Sequence, residues 1–433
     1  MSGPCFTKII EELPSSVSFV GPEAQERARG APFRARIGAN ESVYGPSPKV
    51  IEAVQAATQE NWKYCDPDNF DLKNAIADFH GVKPENVVII EGIDGGLGLA
   101  NRMLVELGDH VITSDGAYPT FNFHVAACGG QLTKVPFRDD KEDIGALLDA
   151  ARDKSAKIIY LSNPDNPMGT WWSASDLEQA MADLPDGTVF VLDEAYCDTA
   201  PDGTLPAIDV HNPMVMRFRT FSKAYGLAGA RVGYCIGETG VISNFEKVRN
   251  HYGINRLGQV AGLAAIKDQE YLKQTVSKIA AARDRISEIA RQNQLSPIAS
   301  ATNFVTIDCR RDGAFAQKVM QELLGRMLDM KLGPVKEERG RVTFELIWGR
   351  CSGIILSMLG NSERLRPSPH GCWSRSNRLR TTWSDGDMWI TRLSQKWKNL
   401  LVSKLSTSFQ AQASMMGSFR YRVLSPIRQY HPG

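Results

Sequence analysis

The sequence has 433 residues, of which 42% are hydrophobic and 23% charged, a composition typical of a soluble globular protein with two or three domains. Its formal net charge of +1 favours neither nucleic acid nor an acidic membrane surface as a partner. The longest apolar runs are too short to span a bilayer, and the first residues, MSGPCFTKIIEELPSS, lack the basic and then apolar order of a secretory signal.

The cysteines and histidines are dispersed along the chain. The eight cysteines form no CxxC motif and no pair with zinc-ligand spacing, and the seven histidines show no cluster. Scattered, reduced thiols are typical of a cytoplasmic protein. We therefore predict a cytoplasmic protein without a metal site.

Between about residues 85 and 240 short apolar runs alternate with helical patterns. The runs are rich in Val and Ile and continuous, which is typical of strands buried on both faces. They are NVVIIEG (86–92), HVITSD (110–115), KIIYLSN (157–163), TVFVLDE (188–194), MVMRFRTFS (214–222) and VGYCIG (232–237). Helical patterns cover 95–107, 119–129, 142–153 and 173–184. This alternation predicts an α/β fold with a mostly parallel central sheet and flanking helices.

Further elements flank this region on both sides. Helical patterns precede it at 47–61 and 68–81, and a long amphipathic pattern follows at 268–294, before a strand pattern at 302–309 and a helical one at 313–325. The later elements indicate the start of a smaller α+β domain. We predict an N-terminal arm over 1–45, a large domain over 46–255 and the start of a small domain over 256–325.

The charge balance and the apolar periodicity both change near the end of the chain. Residues 364–433 contain 12 Lys or Arg and 2 Asp or Glu, a net charge of +10, whereas the preceding residues sum to −9. Five of the eight tryptophans fall between 348 and 397. We predict that 326–433 is an atypical basic tail that does not complete the small domain. A shifted reading frame would produce this pattern; a divergent but folded basic extension is the alternative.

Polar and aromatic residues follow five of the predicted strands, where ligands bind in an open parallel sheet. They lie in the segments GIDGG (92–96), YPTF (118–121), NPDNPMG (163–169), DEAY (193–196) and Ser222-Lys223. Each has an ordinary structural explanation, such as a turn, a helix cap, a core aromatic or a surface lysine. Together they suit one planar, anionic ligand that contains nitrogen.

Lys223 indicates which ligand that is. Burying an ammonium is costly, but a lysine that loses its proton is a nucleophile toward aldehydes. Asp193 can pair with a protonated pyridine nitrogen. A glycine-rich turn, Ser222 and Arg231 can share a phosphate. The ligand that combines an aldehyde, a pyridine ring and a phosphate is pyridoxal 5′-phosphate. In this interpretation Phe121 stacks on the ring, and Asn166 and Tyr196 hydrogen-bond its phenolic oxygen.

The order of Asn166, Asp193, Tyr196, Ser222-Lys223 and Arg231 resembles that of the fold-type-I pyridoxal-phosphate aminotransferases. The resemblance covers about residues 36–325 and is closest to the histidinol-phosphate aminotransferase branch. The segments that carry it are ANESVYGPSP (39–48), YCDPDNFDLKNAIADFHGV (64–82), YPTF, SNPDNPMGT (162–170), LDEAY (192–196), RTFSKAYGLAGARVGY (219–234) and TNF (302–304).

This resemblance implies a function in amino-acid biosynthesis and a set of site residues. Lys223 would hold the cofactor covalently, and the backbone N–H groups of Ile93 and Asp94 would bind its phosphate. The family forms homodimers, in which Tyr64 would reach the phosphate of the partner subunit. The substrates would be an amino acid or amino-alcohol phosphate, and a 2-oxo acid.

Two residues are candidates for contact with the substrate. Asn40 lies in the segment ANESVYGPSP. Arg341 is the candidate for the arginine that binds the substrate carboxylate in the family, but Arg341-Val342-Thr343 is followed by Phe344-Glu345 rather than by a glycine within the motif.

Two other functions keep the same cofactor residues. A lyase or decarboxylase of this fold differs in which substrate bond lies perpendicular to the ring. A protein that binds the cofactor without turnover is the third alternative, given the altered C-terminal region.

Overall fold

The computed structural model describes residues 3–13, 21–325, 328–329, 331–332 and 341–345, which all lie in the first of the two units into which the chain divides, Met1–Cys351. The helices are α1 (Lys8–Glu12), α2 (Pro22–Arg29), α3 (Pro48–Ala57), α4 (Phe70–His80), α5 (Gly92–Leu104), α6 (Pro119–Ala127), α7 (Ile144–Lys154), α8 (Ala174–Ala182), α9 (Thr239–Ser243), α10 (Arg256–Ile266), α11 (Gln269–Gln292) and α12 (Gly313–Gly325). The strands are β1 (Ala35–Arg36), β2 (Val87–Ile90), β3 (His110–Ser114), β4 (Gln131–Val135), β5 (Ile158–Ser162), β6 (Val189–Asp193), β7 (Val215–Thr220), β8 (Gly233–Ile236), β9 (Ser296–Pro297), β10 (Phe304–Asp308), β11 (Leu328–Asp329), β12 (Lys331–Leu332) and β13 (Arg341–Glu345).

A seven-stranded sheet in the order β2-β8-β7-β6-β5-β3-β4 forms the centre of the large domain. β8 runs antiparallel to its two neighbours, and the other pairs are parallel. The predicted mostly parallel sheet is confirmed, and all six predicted runs form strands in it. Sequence analysis missed β4, an edge strand whose residues are largely exposed or half-buried, because such a strand carries no continuous apolar run.

Apolar side chains cover both faces of this sheet. In β2, Val88 and Ile90 join one buried cluster, with α5 and α6, whereas Val87 and Ile89 join another, with α3, α4 and α10. Successive residues of a strand point to opposite faces, so a strand covered on both sides must be apolar throughout. This is the physical reason for the continuous runs in the sequence.

The second domain begins later in the structure than residue 256. α10 packs on α3 and α4, and its Ala261, Ala265 and Ile266 belong to the core of the large sheet. The long helix α11 comes next and packs on β9 and β10, which belong to a separate four-stranded sheet in the order β12-β13-β10-β9. The change from one core to the other therefore falls between α10 and α11.

Part of the range predicted as an atypical tail carries strands. β13 pairs antiparallel with β10 over the five positions from Arg341 opposite Asp308 to Glu345 opposite Phe304, and β11 pairs parallel with β1. The small sheet thus extends to residue 345, twenty residues beyond the predicted end of the domain. The prediction for the rest of the tail, 346–433, lies outside the described residues.

The described part of the chain contains no helix that is both long and apolar enough to cross a membrane. It also contains no group of three or more His, Cys, Asp or Glu side chains arranged to hold a metal ion.

A buried ion cluster joins β6 to β7. Glu194 has no exposed surface and bonds Arg217 Nη2 at 2.5 Å and Arg219 Nε at 2.8 Å. Arg217 also donates to the carbonyls of Pro206 and Ala207. Burial alone raises the pKa of Glu194, but the charges and hydrogen bonds of the two arginines outweigh burial and lower the pKa to about 2. The cluster is thus a carboxylate balanced by two guanidinium groups.

We expect Glu194→Gln to lower the free energy of unfolding by about 3–5 kcal/mol, because it leaves two buried arginines without their counter-charge. Asp149→Asn removes an exposed pair with Arg152 and should cost less than about 1 kcal/mol. Denaturant unfolding measures both. Because its folded pKa is low, Glu194 stabilises the wild type above about pH 4.5 and loses this effect as the pH falls toward 2. Equal losses in the two variants would contradict this account.

Candidate active site

The strand order brings the predicted residues to one edge of the large sheet. β5, β6 and β7 are parallel neighbours, so the segments after Ser162, Asp193 and Thr220 leave the sheet side by side. β2 is parallel to β7 with the reversed β8 between them. The end of β2 therefore lies beside the beginning of β8, and Gly92 meets Arg231 there.

Lys223 lies half-buried three residues beyond the end of β7. Its Nζ donates to the carbonyl of Asn40 at 3.2 Å and lies 3.4 Å from that of Ala39. The same nitrogen is 5.6 Å from the centre of the Tyr196 ring. The Lys223 ammonium is thus held at the strand ends by backbone carbonyls from the N-terminal segment.

Asp193 is fully buried at the end of β6. One carboxylate oxygen accepts the Tyr160 hydroxyl at 2.8 Å, and the other accepts the Ala195 N–H at 3.0 Å. Burial raises its pKa to about 6, although both hydrogen bonds and the charge of Lys223 act in the opposite direction. A nearby cation would hold this carboxylate in its charged form.

Asn40 and Tyr196 are joined directly. The Asn40 amide donates to the Tyr196 hydroxyl at 2.6 Å, and the Asn40 carbonyl accepts the Asn303 amide at 3.2 Å as well as Lys223. The Tyr196 ring meets the Phe304 ring edge-on at 5.4 Å. Residues before the large domain and residues of β10 thus complete the site around Lys223.

Sequence analysis did not identify Asn303 as a site residue, although it lies in the quoted segment TNF. Its amide nitrogen bonds Asn40, but its side-chain oxygen is buried without a hydrogen-bond partner among the described residues. A buried polar atom of this kind usually has a partner. A polar side chain directly before a buried strand was the signal available in the sequence.

Gly92 and Arg231 meet at the opposite end of the site. Both have positive φ, 73° and 56°. Arg231 donates to the carbonyls of Ala228 at 3.0 Å and Glu91 at 3.4 Å, and a Cβ atom on Gly92 would overlap its guanidinium group. The absence of a side chain at residue 92 therefore lets the arginine lie against the beginning of α5.

The other residues predicted near this end lie around the same helix terminus. Ile93 and Asp94 occupy the first turn of α5, and Asp94 is 3.2 Å from His124 Nε2. Ser222 is buried, and its hydroxyl oxygen accepts Thr220 Oγ1 at 2.9 Å. The Ser222 hydroxyl hydrogen remains available to a further acceptor.

Phe121 is the residue predicted to stack on the ligand ring. In this structure it is fully buried and stacks face to face on Tyr160, with ring centres 4.2 Å apart and planes 12° apart. Its contact with a ligand ring stays a prediction. Phe121 lies within α6 rather than at the strand end, and this position buries it.

Tyr118 is the aromatic residue of the same segment that does border the site. Tyr118 is half-buried, and burial is the largest cause that raises its pKa. The charges of Asp94 and Asp193 raise this pKa further, whereas the charge of Arg231 lowers it. The charges that act on its pKa thus belong to three predicted site residues. Tyr118 lies directly before Pro119 at the start of α6.

The remaining predicted residues have different positions. Asn166 is half-buried after β5, and its N–H donates to Ser162 Oγ at 3.4 Å. Tyr64 is 80% exposed and contacts the Tyr252 ring at 4.8 Å. Arg341 begins β13 with Asp308 as its backbone partner, and its side chain lies outside the described part of the chain. The structure thus brings Asn166 to the site and leaves Tyr64 at the surface.

A cavity of about 500 Å³ lies between the N-terminal segment and a segment that follows Lys223 in the chain. Arg34, Arg36 and 41–43 of the N-terminal segment line one side, and Gly226 with 228–229 lines the other. Arg36 pairs with Glu23 at 2.8 Å and with Glu41 at 3.6 Å. The cavity thus has two arginines among its lining residues.

Comparison with known proteins yields a consistent set of relatives. A histidinol-phosphate aminotransferase from Leuconostoc mesenteroides is 31% identical over 332 residues, which cover 76% of this chain and 92% of the relative. Another, from Hydrogenovibrio crunogenus, is 34% identical, and the match covers 67% of this chain and 77% of the relative. A solved relative is histidinol-phosphate aminotransferase from Sinorhizobium meliloti, in a crystal structure in complex with pyridoxal-5′-phosphate. Its sequence is 47% identical, the TM-score is 0.76, and the match covers 79% of this chain and 94% of that one.

The fold is shared more widely than the sequence. An aspartate aminotransferase from Thermus thermophilus is 21% identical with a TM-score of 0.67, and it covers 80% of this chain. The profile of the family described as aminotransferase class I and II matches residues 36–346, a range that includes every strand-end residue described above. The chain belongs to the class I and II aminotransferases.

Proposed function

We propose that this aminotransferase uses pyridoxal 5′-phosphate to move an amino group between an amino-alcohol phosphate of the histidinol-phosphate type and a 2-oxo acid. The observation that carries the proposal is the position of Lys223 and the buried Asp193 after adjacent parallel strands, where the charge of Lys223 acts to lower the pKa of Asp193. The names and the identity of the relatives from Leuconostoc mesenteroides and Sinorhizobium meliloti support the choice of substrate.

The residues present fit the cofactor phosphate. Gly92 has no side chain, so the Arg231 guanidinium group can lie against the beginning of α5. The backbone N–H groups of Ile93 and Asp94 lie in the first turn of α5, and the first N–H groups of a helix and its dipole favour an anion. Ser222 has a hydroxyl hydrogen to donate. These groups would hold the phosphate.

The residues of the buried end fit the ring. Asp193 would pair with the protonated pyridine nitrogen. This cation would stabilise the charged form of Asp193, which burial disfavours. The bound cofactor supplies an electron sink for the substrate Cα. Asn166 and Tyr196 would donate to the phenolic oxygen of the ring.

Lys223 has two functions in this proposal. It would hold the cofactor covalently through Nζ, and once replaced there by the substrate amine it would take the proton from the substrate Cα. The carbonyls of Asn40 and Ala39 keep Nζ at the site. Tyr196, whose hydroxyl accepts from Asn40, borders the same nitrogen.

The substrate is expected to enter beside Asn40. The cavity lined by Arg34 and Arg36 suits an anionic group such as a phosphate ester. The function of Arg341 as the carboxylate ligand stays a prediction, as does the cytoplasmic location.

The function is tested by a half-reaction. We expect histidinol phosphate, added to the holoenzyme without a 2-oxo acid, to convert the bound cofactor to its amino form, and a 2-oxo acid to restore it. Lys223→Ala should abolish this conversion and the borohydride-reducible bond to a peptide that contains residue 223. Absorption spectra and mass spectrometry measure both.

Lys247→Ala, which removes a lysine outside the site, is the control and should behave as the wild type. Release of carbon dioxide or cleavage of the substrate without an acceptor would favour a lyase or decarboxylase. A reducible adduct on another lysine would contradict the assigned function of Lys223.

Gly92→Ala should weaken cofactor binding at least tenfold, because its Cβ atom would displace the Arg231 guanidinium group. Gly187→Ala is the matched control: Gly187 has a φ of 77°, and nothing lies within 4 Å of its added Cβ. Both variants should lose about 1–2 kcal/mol of stability for the left-handed backbone. Titration of the apoprotein with pyridoxal phosphate measures affinity. Equal affinities in the two variants would argue against a phosphate site here.

We also propose a homodimer in which Tyr64 reaches the partner's cofactor phosphate. Tyr64, Trp62 and Tyr252 form an exposed aromatic group, 80%, 79% and 51% exposed, and exposed apolar surface of this kind often marks an interface. Neither the dimer nor this contact is needed for the other assignments.

Complementation tests the position of Tyr64. Tyr64→Ala and Lys223→Ala should each lower activity at limiting cofactor. Unfolding and refolding them as a mixture should restore about a quarter of the sites, because each mixed dimer contains one intact site. A mixture of Lys223→Ala with Lys223→Arg is the control and should recover nothing. Absence of recovery in the first mixture would place Tyr64 in the site of its own chain or outside it.

A further inference from the structure

Two carboxyl groups that the proposed reaction does not use lie buried behind the loop that carries Asn166. Glu142 and Asp165 are 1% and 2% exposed. Glu142 accepts Ser114 Oγ at 2.5 Å and the Ser162 N–H at 2.9 Å. Glu142 thus connects the ends of β3 and β5.

A single hydroxyl group stands between the two carboxyl groups. Ser162 Oγ lies 3.1 Å from Glu142 Oε1 and 3.2 Å from Asp165 Oδ1. A serine hydroxyl has one hydrogen and can donate it to one acceptor at a time. One of the two carboxyl groups must therefore be protonated, since two carboxylates that share a buried site cannot both be ionised.

The electrostatic surroundings agree with this geometry. Burial raises the pKa of Glu142 to about 7, against the hydrogen bonds from Ser114 and Ser162, and the charge of Asp193 adds to the increase. Burial and the charge of Glu142 likewise raise the pKa of Asp165 well above its usual range. Tyr160, whose own pKa is raised by burial and by Asp193 and Glu142, faces the same region.

The pair holds both sides of the loop. The Asn166 N–H donates to Ser162 Oγ at 3.4 Å, and the Met168 N–H donates to Asp165 Oδ2 at 2.7 Å. Asp165 N–H in turn bonds the carbonyl of Thr170. The backbone on either side of Asn166 is thus tied to the two carboxyl groups.

We propose that Glu142 and Asp165 share one proton and, through Ser162, are positioning residues for Asn166 at the phenolic oxygen of the cofactor ring. The proposal rests on the proposed function for the contact of Asn166 with the cofactor, but the shared proton belongs to the protein alone.

The shared proton is tested on the apoprotein. A carboxyl group whose pKa is higher in the folded state takes up a proton on folding, so its contribution to stability falls as the pH rises from about 4.5 to about 7. Glu142→Gln should reduce the decline of the melting temperature over this range. Asp198→Asn is the control: burial raises the pKa of Asp198 to about 6 at a place away from the loop, so this variant should also reduce the decline.

The positioning function is tested by the affinity of the apoprotein for pyridoxal phosphate. The control variant Asp198→Asn should leave this affinity unchanged. Glu142→Leu and Asn166→Ala should each weaken binding of pyridoxal phosphate to the apoprotein by about tenfold, and the double variant by no more than Asn166→Ala alone, because coupled residues are not additive. Glu142→Gln keeps an acceptor for the Ser162 N–H and should stay within about twofold of the wild type.

Additive losses in the double variant, or a normal affinity in Glu142→Leu, would overturn the positioning function. An unchanged pH dependence in Glu142→Gln would overturn the shared proton. A wild-type apoprotein that does not bind pyridoxal phosphate would overturn the proposed function and with it the contact of Asn166. The pH dependence of the apoprotein would still decide whether the carboxyl groups share a proton.

Discussion

Asp193 lies buried at the end of a central strand, only 5% exposed, and burial opposes its charge more strongly than its two hydrogen bonds and Lys223 favour it. The site is organised around this opposition. A carboxylate in such a place is stabilised by a cation that approaches from the open edge of the sheet, which is where β5, β6 and β7 end together. Lys223 and a protonated ring nitrogen are the two cations that the proposed reaction brings there.

The neighbouring residue shows how strongly the strand alternation separates two environments. Glu194 follows Asp193 directly, yet two buried arginines lower its pKa to about 2, whereas the pKa of Asp193 is raised to about 6. Adjacent side chains of a strand point to opposite faces. One carboxylate therefore completes an ion cluster within the fold, and the other is left to interact with a ligand.

The sequence predicted the central strands well because both sheet faces are covered and each strand is apolar throughout. It missed β4, whose exposed edge position removes that signal, and it did not predict α10, which packs on the large sheet after the expected domain boundary. The residues of the site that come directly after strands were predicted from their positions alone. The full burial of Phe121 could not be predicted, because it depends on packing against Tyr160, which the spacing of residues does not reveal.

The two ends of the site differ in what a substitution can change. At the proposed phosphate end the contacts would come from backbone N–H groups, a glycine and the exposed Arg231, and the conformation of the chain at Gly92 and Arg231 should matter more than side-chain identity at Ile93 or Asp94. At the proposed ring end the contacts would come from side chains that lie close to further buried carboxyl groups such as Glu142 and Asp165. A change there alters protonation as well as geometry, because the groups lie close together away from water. Cofactor affinity should therefore depend on pH mainly through the ring end, apart from the titration of the phosphate itself.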